Sequence, residues 1–429
     1  MSNPRLQRPD RLQFRLIPAT LDGALAAEHP ARDIWSYLDT IDLAPLYATI
    51  KAVDGAPGRP AIDPKLLLAL WVFATTEAVG SARELAELCE RDLPYMWLCG
   101  GVSVNYHTLA DFRSKNEKTF QDLLQRHITS LVASNVVQLQ RVAQDGVRVR
   151  ASAGDGSFRR RKRLEEVASE VRQQLELLAK ELHDDPGASQ RRKEAGKKRA
   201  LEARAAKVAA AIERTRQIDK DRTSPNSHRS KKEQAKRKND ADEGNTRASA
   251  TDGDASIMVM ADGGYRPAYN CQAAMDPASG FVIATQISQD AGDGARMPPM
   301  VAELLEKYAT RPTELLVDGG YSTHAAINTV ESAGTKVYAP VKAPKTAGVD
   351  RYAPHESDSA AVAVWRARMG TVEAKAIRKL RSQIEWCFAR LRNWGLRQFT
   401  VRTTPRVESS FYLYILTHNF MNEMRLRIG

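Results

Sequence analysis

The sequence predicts a protein of the α+β/α/β class, in which an all-helical N-terminal part precedes a mixed sheet and a basic coiled-coil hairpin is inserted into the sheet region. Three observations predict this. Apolar residues recur at helical spacing over residues 33–135, whereas strand-like patterns dominate after residue 250. No Phe, Trp or Tyr occurs between Phe158 and Tyr265, so that stretch cannot build an ordinary globular core. Residues 158–247 hold 26 basic and 16 acidic residues, which accounts for most of the net charge of +12 on the 429-residue chain. With 42% hydrophobic and 27% charged residues the composition is that of a globular protein, which excludes global disorder.

Residues 1–31, with Pro4, Pro9, Pro18 and Pro30, read as a flexible arm. Residues 32–135 read as a helical DNA-binding domain. Asp63 and Ser81 are candidate N-caps, and Gly80, Gly100 and Gly101 punctuate the helices. The stretch 81–115 is compatible with a helix-turn-helix variant and equally with a structural bundle. The longest apolar run, LLLALWVFA at 66–74, is far short of the ~20 residues of a membrane helix. No apolar segment follows the basic residues of the N-terminus, so a cytoplasmic protein is expected, without membrane contact. The four cysteines sit too far apart for a disulfide framework and read as reduced thiols.

The inserted tract, 158–250, places Leu164, Val167, Val171, Leu175, Leu178 and Leu182 at spacings of three and four. Leu201, Ala205, Val208 and Ile212 do the same after a break at DDPG, which predicts a coiled-coil hairpin. Residues 219–250 read as a mobile basic loop. The catalytic core is expected from 136–157 plus 251–429. VAQDGVRVRA is a strand whose partner must be the hairpin YNCQAAMD-PASG-FVIATQIS beyond the insertion. Helices are expected at 298–308 and 323–332, strands at ELLVD and TKVYAP, a long helix at 372–394 and a terminal one at 411–425.

Three acids stand out. Strand alternation puts Asp145 on the apolar face of its strand, where an ionised carboxylate is costly without a partner or a metal. A structural hydrogen-bonding role would also account for it. Asp318 ends an apolar run at the carboxyl end of a strand, where sites collect in open sheets. Its rival Asp262 repeats the tetrapeptide DGGY but is followed by more strand, which favours a turn. Glu385 shares a helical stripe with Arg378, Arg381 and Arg392, and an ordinary Arg381–Glu385 ion pair would explain it equally well.

Together QDGVRVRASA, TDGDASIMVMADGGYRPAYNCQAAMD, VDGGYST and the RxxxExxxxxxR of Arg381, Glu385 and Arg392 resemble the signature blocks of bacterial insertion-sequence DDE transposases (IS-five/IS-four-like superfamily). IDPKLLLALW and HTLADFR resemble the helical N-terminal module of the same group. Arg378 and Arg392 stand where the family motif has Tyr and Lys. The resemblance implies an RNase H-like mixed-sheet catalytic core and a catalytic, metal-binding triad of Asp145, Asp318 and Glu385. It also implies Arg381, Arg392 and Arg378 as DNA-binding or site-supporting residues, and two Mg²⁺ (or Mn²⁺) ions per active site. The partners implied are DNA, as terminal inverted repeats and target, and a second copy in a homodimer on DNA. In-line displacement at phosphorus by paired divalent ions calls for carboxylates, not for His or Cys ligands. Two alternatives stay open: a catalytically inactive or repurposed sequence-specific DNA-binding relative, and a nuclease without strand transfer.

Weaker signals have ordinary explanations. Cys89, Cys99 and His107 match no zinc spacing. His324 reads as a surface histidine at a helix start or as a neighbour of the site, Asp290 and Asp293 as turn residues or as supports behind the site, and Trp386 and Trp394 as core side chains or as stacking partners for a base. The basic insertion reads either as a solvated coiled coil or as a clamp on the DNA backbone.

Overall fold

The structure is a computed structural model, and it describes residues 20–50, 60–184, 188–223, 231–344 and 348–428. Most of the expected arm, residues 1–19, lies outside the described residues.

The N-terminal region is helical: α1 (Leu21–Ala24), α2 (Pro30–Leu38), α3 (Ala44–Tyr47), α4 (Pro64–Thr76), α5 (Ala82–Arg91), α6 (Leu93–Cys99), α7 (Tyr106–Lys115) and α8 (Glu117–Ala133). The caps predicted at Asp63 and Ser81 form, accepting from the N–H groups of Lys65 and Glu84, and Asn105 caps α7 in the same way. Helix α4 is apolar on every side and buries residues 64–75, the pattern of a central core helix. Among the described residues, no helix is long and apolar enough to cross a membrane.

The chain then enters β1 (Arg141–Arg150) and the short β2 (Phe158–Arg160), which opens the insertion. Helices α9 (Arg161–Asp184) and α10 (Ala188–Thr223) form the expected hairpin, with Leu164, Val171 and Leu178 buried on α9 and Val208 and Ala211 on α10. The side chain of Leu182 and residues 185–187 of the expected break lie outside the described residues.

The loop expected over 219–250 is a correction. Asp219 belongs to α10, where its carboxylate accepts from Arg161 at 3.0 Å and from the Thr246 hydroxyl. Residues 224–230 lie outside the described residues, and α11 (Lys231–Asp242) and β3 (Arg247–Ser249) follow. The sequence KKEQAKRKNDAD has no apolar face, so periodicity misses it, but it is rich in strong helix formers. Strand β3 pairs antiparallel with β2, Phe158 opposite Ser249 and Arg160 opposite Arg247, which closes the insertion at its base.

Strands β4 (Ser256–Val259), β5 (Tyr265–Met275) and β6 (Val282–Ser288) come next, followed by α12 (Met297–Tyr308), β7 (Glu314–Leu316), α13 (His324–Ser332) and β8 (Lys336–Tyr338). The predicted hairpin is β5–β6, and β1 pairs with β5 across the insertion, Ala143 opposite Met275 through Arg150 opposite Ala268. The sheet runs β4-β5-β1-β7-β8, with β6 also on β5. Pairs β1–β5 and β5–β6 are antiparallel, and β1–β7 and β7–β8 parallel. This mixed sheet is compatible with an RNase H-like core. Helices α14 (Ala360–Met369), α15 (Val372–Lys379), α16 (Ser382–Asn393) and α17 (Thr404–Ile428) complete the chain. One buried apolar cluster joins α2, α4 and α8 to the sheet and to α17, whereas Leu164, Val208, Ala211 and Ala248 form a separate small cluster in the insertion.

Two helix boundaries differ from expectation. The single helix over 372–394 is broken at Leu380 and Arg381, where the backbone tightens to i→i+3 bonds: Leu380 N–H to Ile377 C=O at 3.0 Å and Arg381 N–H to Arg378 C=O at 3.1 Å. Leu380, an apolar residue at the break, is 41% exposed as a result. Helix α17 begins at Thr404, earlier than expected, because the small polar Ser409 and Ser410 are buried; the Ser409 hydroxyl donates to the Arg113 carbonyl at 2.7 Å.

Candidate active site

The site is built from the middle of β1, the end of β7 and the start of α16. In the parallel β1–β7 pair the register ends with Ala143 opposite Leu316, so Asp318 lies two residues past the end of β7, near enough for its charge to act on Asp145. Strand β7 stops just before Asp318 because its carboxylate accepts from the Gly320 N–H at 2.7 Å and turns the chain away from the sheet. Helix α16 packs over β1 and brings Arg381 and Glu385 to Asp145.

Arg381 ties Asp145 to Glu385. Its Nη1 donates to Asp145 Oδ2 at 2.8 Å, and its Nη2 pairs with Glu385 Oε1. Asp145 Oδ1 also accepts from the Gly146 N–H at 2.8 Å. Burial pushes the Asp145 carboxyl up to about 6. The Arg381 guanidinium pulls it down, and the charges on Asp318 and Glu385 add to the rise. The Asp145 and Arg381 side chains are 16% exposed, whereas that of Glu385 is 55% exposed and faces solvent.

The stripe read from the sequence is only partly assembled. The break at Leu380 and Arg381 turns α15 away, and among the described residues no hydrogen bond or ion pair joins Arg378 or Arg392 to the three acids. Arg392 lies seven residues beyond Glu385, about 10 Å along the helix. Asp262 sits in the β4–β5 turn, accepting from the Gly264 N–H and pairing with Arg266 at 3.2 Å, as a turn residue would.

A polar network beside the site had little signal in the sequence. Gln272 on β5 is fully buried, and it donates to Asp293 Oδ1 at 2.9 Å and accepts from the Tyr321 hydroxyl at 2.5 Å. Asn270 also donates to Asp293, at 2.7 Å, and Arg148 pairs with it at 3.3 Å. Asp293 thus takes the supporting role offered beside its turn reading: it anchors the loop against which the DGGY turn rests. The signal available was the Gln, Asn and Arg alternating with apolar residues along β1 and β5. Gly146 is required by space: a Cβ there would lie 2.1 Å from Gln272 Nε2 and 2.8 Å from Asn270 Oδ1.

The weaker candidates resolve simply. Asp290 pairs with Arg296 at 2.7 Å in the same loop. His107 stacks on Tyr106. His324 lies 3.8 Å from Asp358, which is held by Arg366 at 2.6 Å. Trp386 is 53% exposed instead of buried, and the Arg390 guanidinium covers its ring at 4.6 Å. Among the described residues no group of three or more His, Cys, Asp or Glu side chains is gathered to hold a metal ion; the cation between Asp145 and Glu385 is Arg381.

Known families match the chain in the same collinear order. A family model described as a transposase domain (DUF772) matches residues 19–115, and one described as a transposase DDE domain matches residues 245–420. No curated protein and no solved structure matches. Asp318 and Glu385 fall inside the second match, and Asp145 lies ahead of it, on the far side of the basic insertion. With two transposase domains spanning well over half of its length, the chain belongs to the insertion-sequence DDE transposases.

Proposed function

We propose that the protein binds the terminal inverted repeats of its own element and catalyses divalent-metal-dependent DNA cleavage and strand transfer, with Asp145, Asp318 and Glu385 as its catalytic carboxylates. One observation carries this reading: a mostly buried carboxylate in mid-strand shares a guanidinium with a helix carboxylate and feels the charge of a third that lies just past the end of the adjacent strand. The strand order supports an RNase H-like reading of the core.

The donor set suits Mg²⁺ or Mn²⁺, because all three groups are hard carboxylate oxygens. The upward push on Asp145 from burial and from its two acidic neighbours marks a place where added positive charge is favourable. Asp145, Asp318 and Glu385 would hold two ions. When bound, these supply Lewis-acid activation of the attacking oxygen and offset the charge on the leaving one. Asp145, fixed by the Gly146 N–H, is the rigid support, while the solvent-facing Glu385 completes the site. Arg381 holds the acids in register and offers a planar donor fork to a phosphate oxygen. Arg378 and Arg392 are proposed to touch DNA away from the acids. The active form is proposed to be a homodimer, since two element ends must be handled together.

Asp145→Asn, Asp318→Asn and Glu385→Gln are each expected to reduce cleavage of element-end DNA in Mg²⁺ to background while leaving DNA binding intact. Cleavage at the wild-type rate in any one variant removes that residue from the triad. The second reading, a non-catalytic DNA-binding relative, draws on the lack of a three-acid metal group among the described residues. Wild-type protein that binds element ends yet never cuts them would establish it.

A further inference from the structure

We infer that the cleft between α5, α7, α10 and the segment 400–406 that enters α17 grips the sugar–phosphate backbone of duplex DNA, so that the insertion and the N-terminal helices hold one duplex between them. This rests on the reading of the chain as a DNA transposase and adds where the backbone lies. The cleft has a volume of 880 Å³, and its walls come from parts of the chain that are distant in sequence. Arg83 comes from α5, Arg113 and Lys115 from α7, Lys207 from the insertion, Arg402 from the segment leading into α17, and Arg406 from the first turn of α17. Lys115 is offset by Asp111 at 2.7 Å. Two further acids line the wall and are oriented by neutral donors, so that six cations face three carboxylates across the cleft. Asp252 accepts from the Tyr269 hydroxyl and the Thr403 N–H, and Asp254 from the Thr404 N–H and hydroxyl. Arg83, Lys207 and Arg406 are exposed, and among the described residues no carboxylate pairs with them.

The floor of the cleft carries an unbalanced charge. Arg113 is 9% exposed and makes its bonds to neutral groups only, the Gly80 carbonyl and the Thr400 hydroxyl, with its guanidinium 4.4 Å over the Trp71 ring. Burial lowers its pKa to about 10, and no carboxylate opposes that. A buried cation without a counter-charge is costly, and an arriving anion removes the cost. The cleft also holds stored strain: Thr403, a β-branched residue, has φ 75°, in the left-handed region, and is pinned there by Asp252.

Helix α5 presents its N-terminal end, Ser81 to Arg83, to the same cleft, which favours phosphate further. Strand β1 carries Asp145 in its middle and runs on to Ser152 in the cleft wall, about 23 Å away at strand rise. One duplex can therefore lie in the cleft and reach the acids.

The test is the salt dependence of binding of a long mixed-sequence duplex by the full chain. The triple variant Arg83→Ala/Lys207→Ala/Arg406→Ala is compared with Lys197→Ala/Lys198→Ala/Arg199→Ala, which removes three exposed cations about 15 Å further along α10. The cleft variant is expected to lower the slope of log K against log salt by about 2.7, roughly 0.9 for each phosphate no longer neutralised. Arg83→Lys/Lys207→Arg/Arg406→Lys is expected to retain the wild-type slope, and the α10 control to change it by less than about 0.9, the value of a single phosphate. A cleft variant with the wild-type slope, or a control whose slope falls as far, overturns the cleft assignment while the transposase reading stands. Wild-type protein that binds no DNA overturns both.

Discussion

Arg381 is the residue on which the site's geometry turns, because one guanidinium serves two carboxylates. Arg381→Ala leaves the mostly buried Asp145 with only the Gly146 N–H, and a loss of about 1–3 kcal/mol in folding stability is expected from chemical denaturation. Arg381→Lys keeps the charge but not the fork, so an intermediate loss is expected, with cleavage below wild type. Gly146→Ala should cost a similar amount, about 1–3 kcal/mol, because Gln272 is held by four neighbours and cannot yield to a new Cβ. Adding Gln272→Ala should recover part of the loss, as a double-mutant cycle would measure. Asp145, Asp318 and Glu385, the acids proposed for the site, could be singled out in the sequence because each sits where an apolar pattern meets an acid. The network of Gln272, Asn270, Asp293 and Tyr321 was not, since its members meet only once β5, a loop and the DGGY turn have been folded together.

At the scale of elements, the seam between α16 and α17 sets a pH response. Arg390 donates to Asn422 at 2.6 Å and lies 3.2 Å from His418 Nδ1, and burial holds His418 at about 4. His127, packed between α8 and α17, is likewise lowered to about 4 by burial. Both histidines take up protons more readily when unfolded, with a reference value of 6.5, so the stability they support is present above pH 6.5 and is lost as pH falls towards 4. Glu408 has the opposite sign. Burial and Glu117 raise it to about 7 from 4.5, so its contribution is full below pH 4.5 and is lost as pH rises through 7. Thermal unfolding should therefore show maximal stability near neutrality. His418→Asn should flatten the acid limb, and Glu408→Gln should raise the midpoint by a few degrees at pH 8 but not at pH 4. Strong periodicity made the β5–β6 hairpin, β1, α4 and α12 readable. The α15–α16 break was hidden because no Gly or Pro marks it, and α11 because a helix without an apolar face leaves no periodic trace.

For the whole molecule, the insertion is attached through paired strands and has its own small apolar cluster, apart from the main core. Replacing residues 161–246 by a two-residue turn between Arg160 and Arg247 should therefore leave a cooperatively unfolding core. The same deletion should lower the salt slope of DNA binding, because it removes Lys207 from the cleft. A broad, non-cooperative melt of the shortened chain would show that the core depends on the hairpin. The overall order of the sheet was legible from the pairing demanded of VAQDGVRVRA, while the shared core of the helical region and sheet was not, because it depends on which faces of α2, α8 and α17 meet.

The β2–β3 pairing also bears on how quickly the native topology can be reached. Between β1 and β5 the polypeptide wanders through more than a hundred residues, and a tether of that length makes a strand encounter slow. Once α9 and α10 zip locally and their feet are stitched by Phe158 opposite Ser249, the effective loop contracts to the short stretches on either side of the stitch. Kinetically, the hairpin is then a preassembled spacer, and cutting the stitch should delay formation of the central sheet far more than it weakens the finished one.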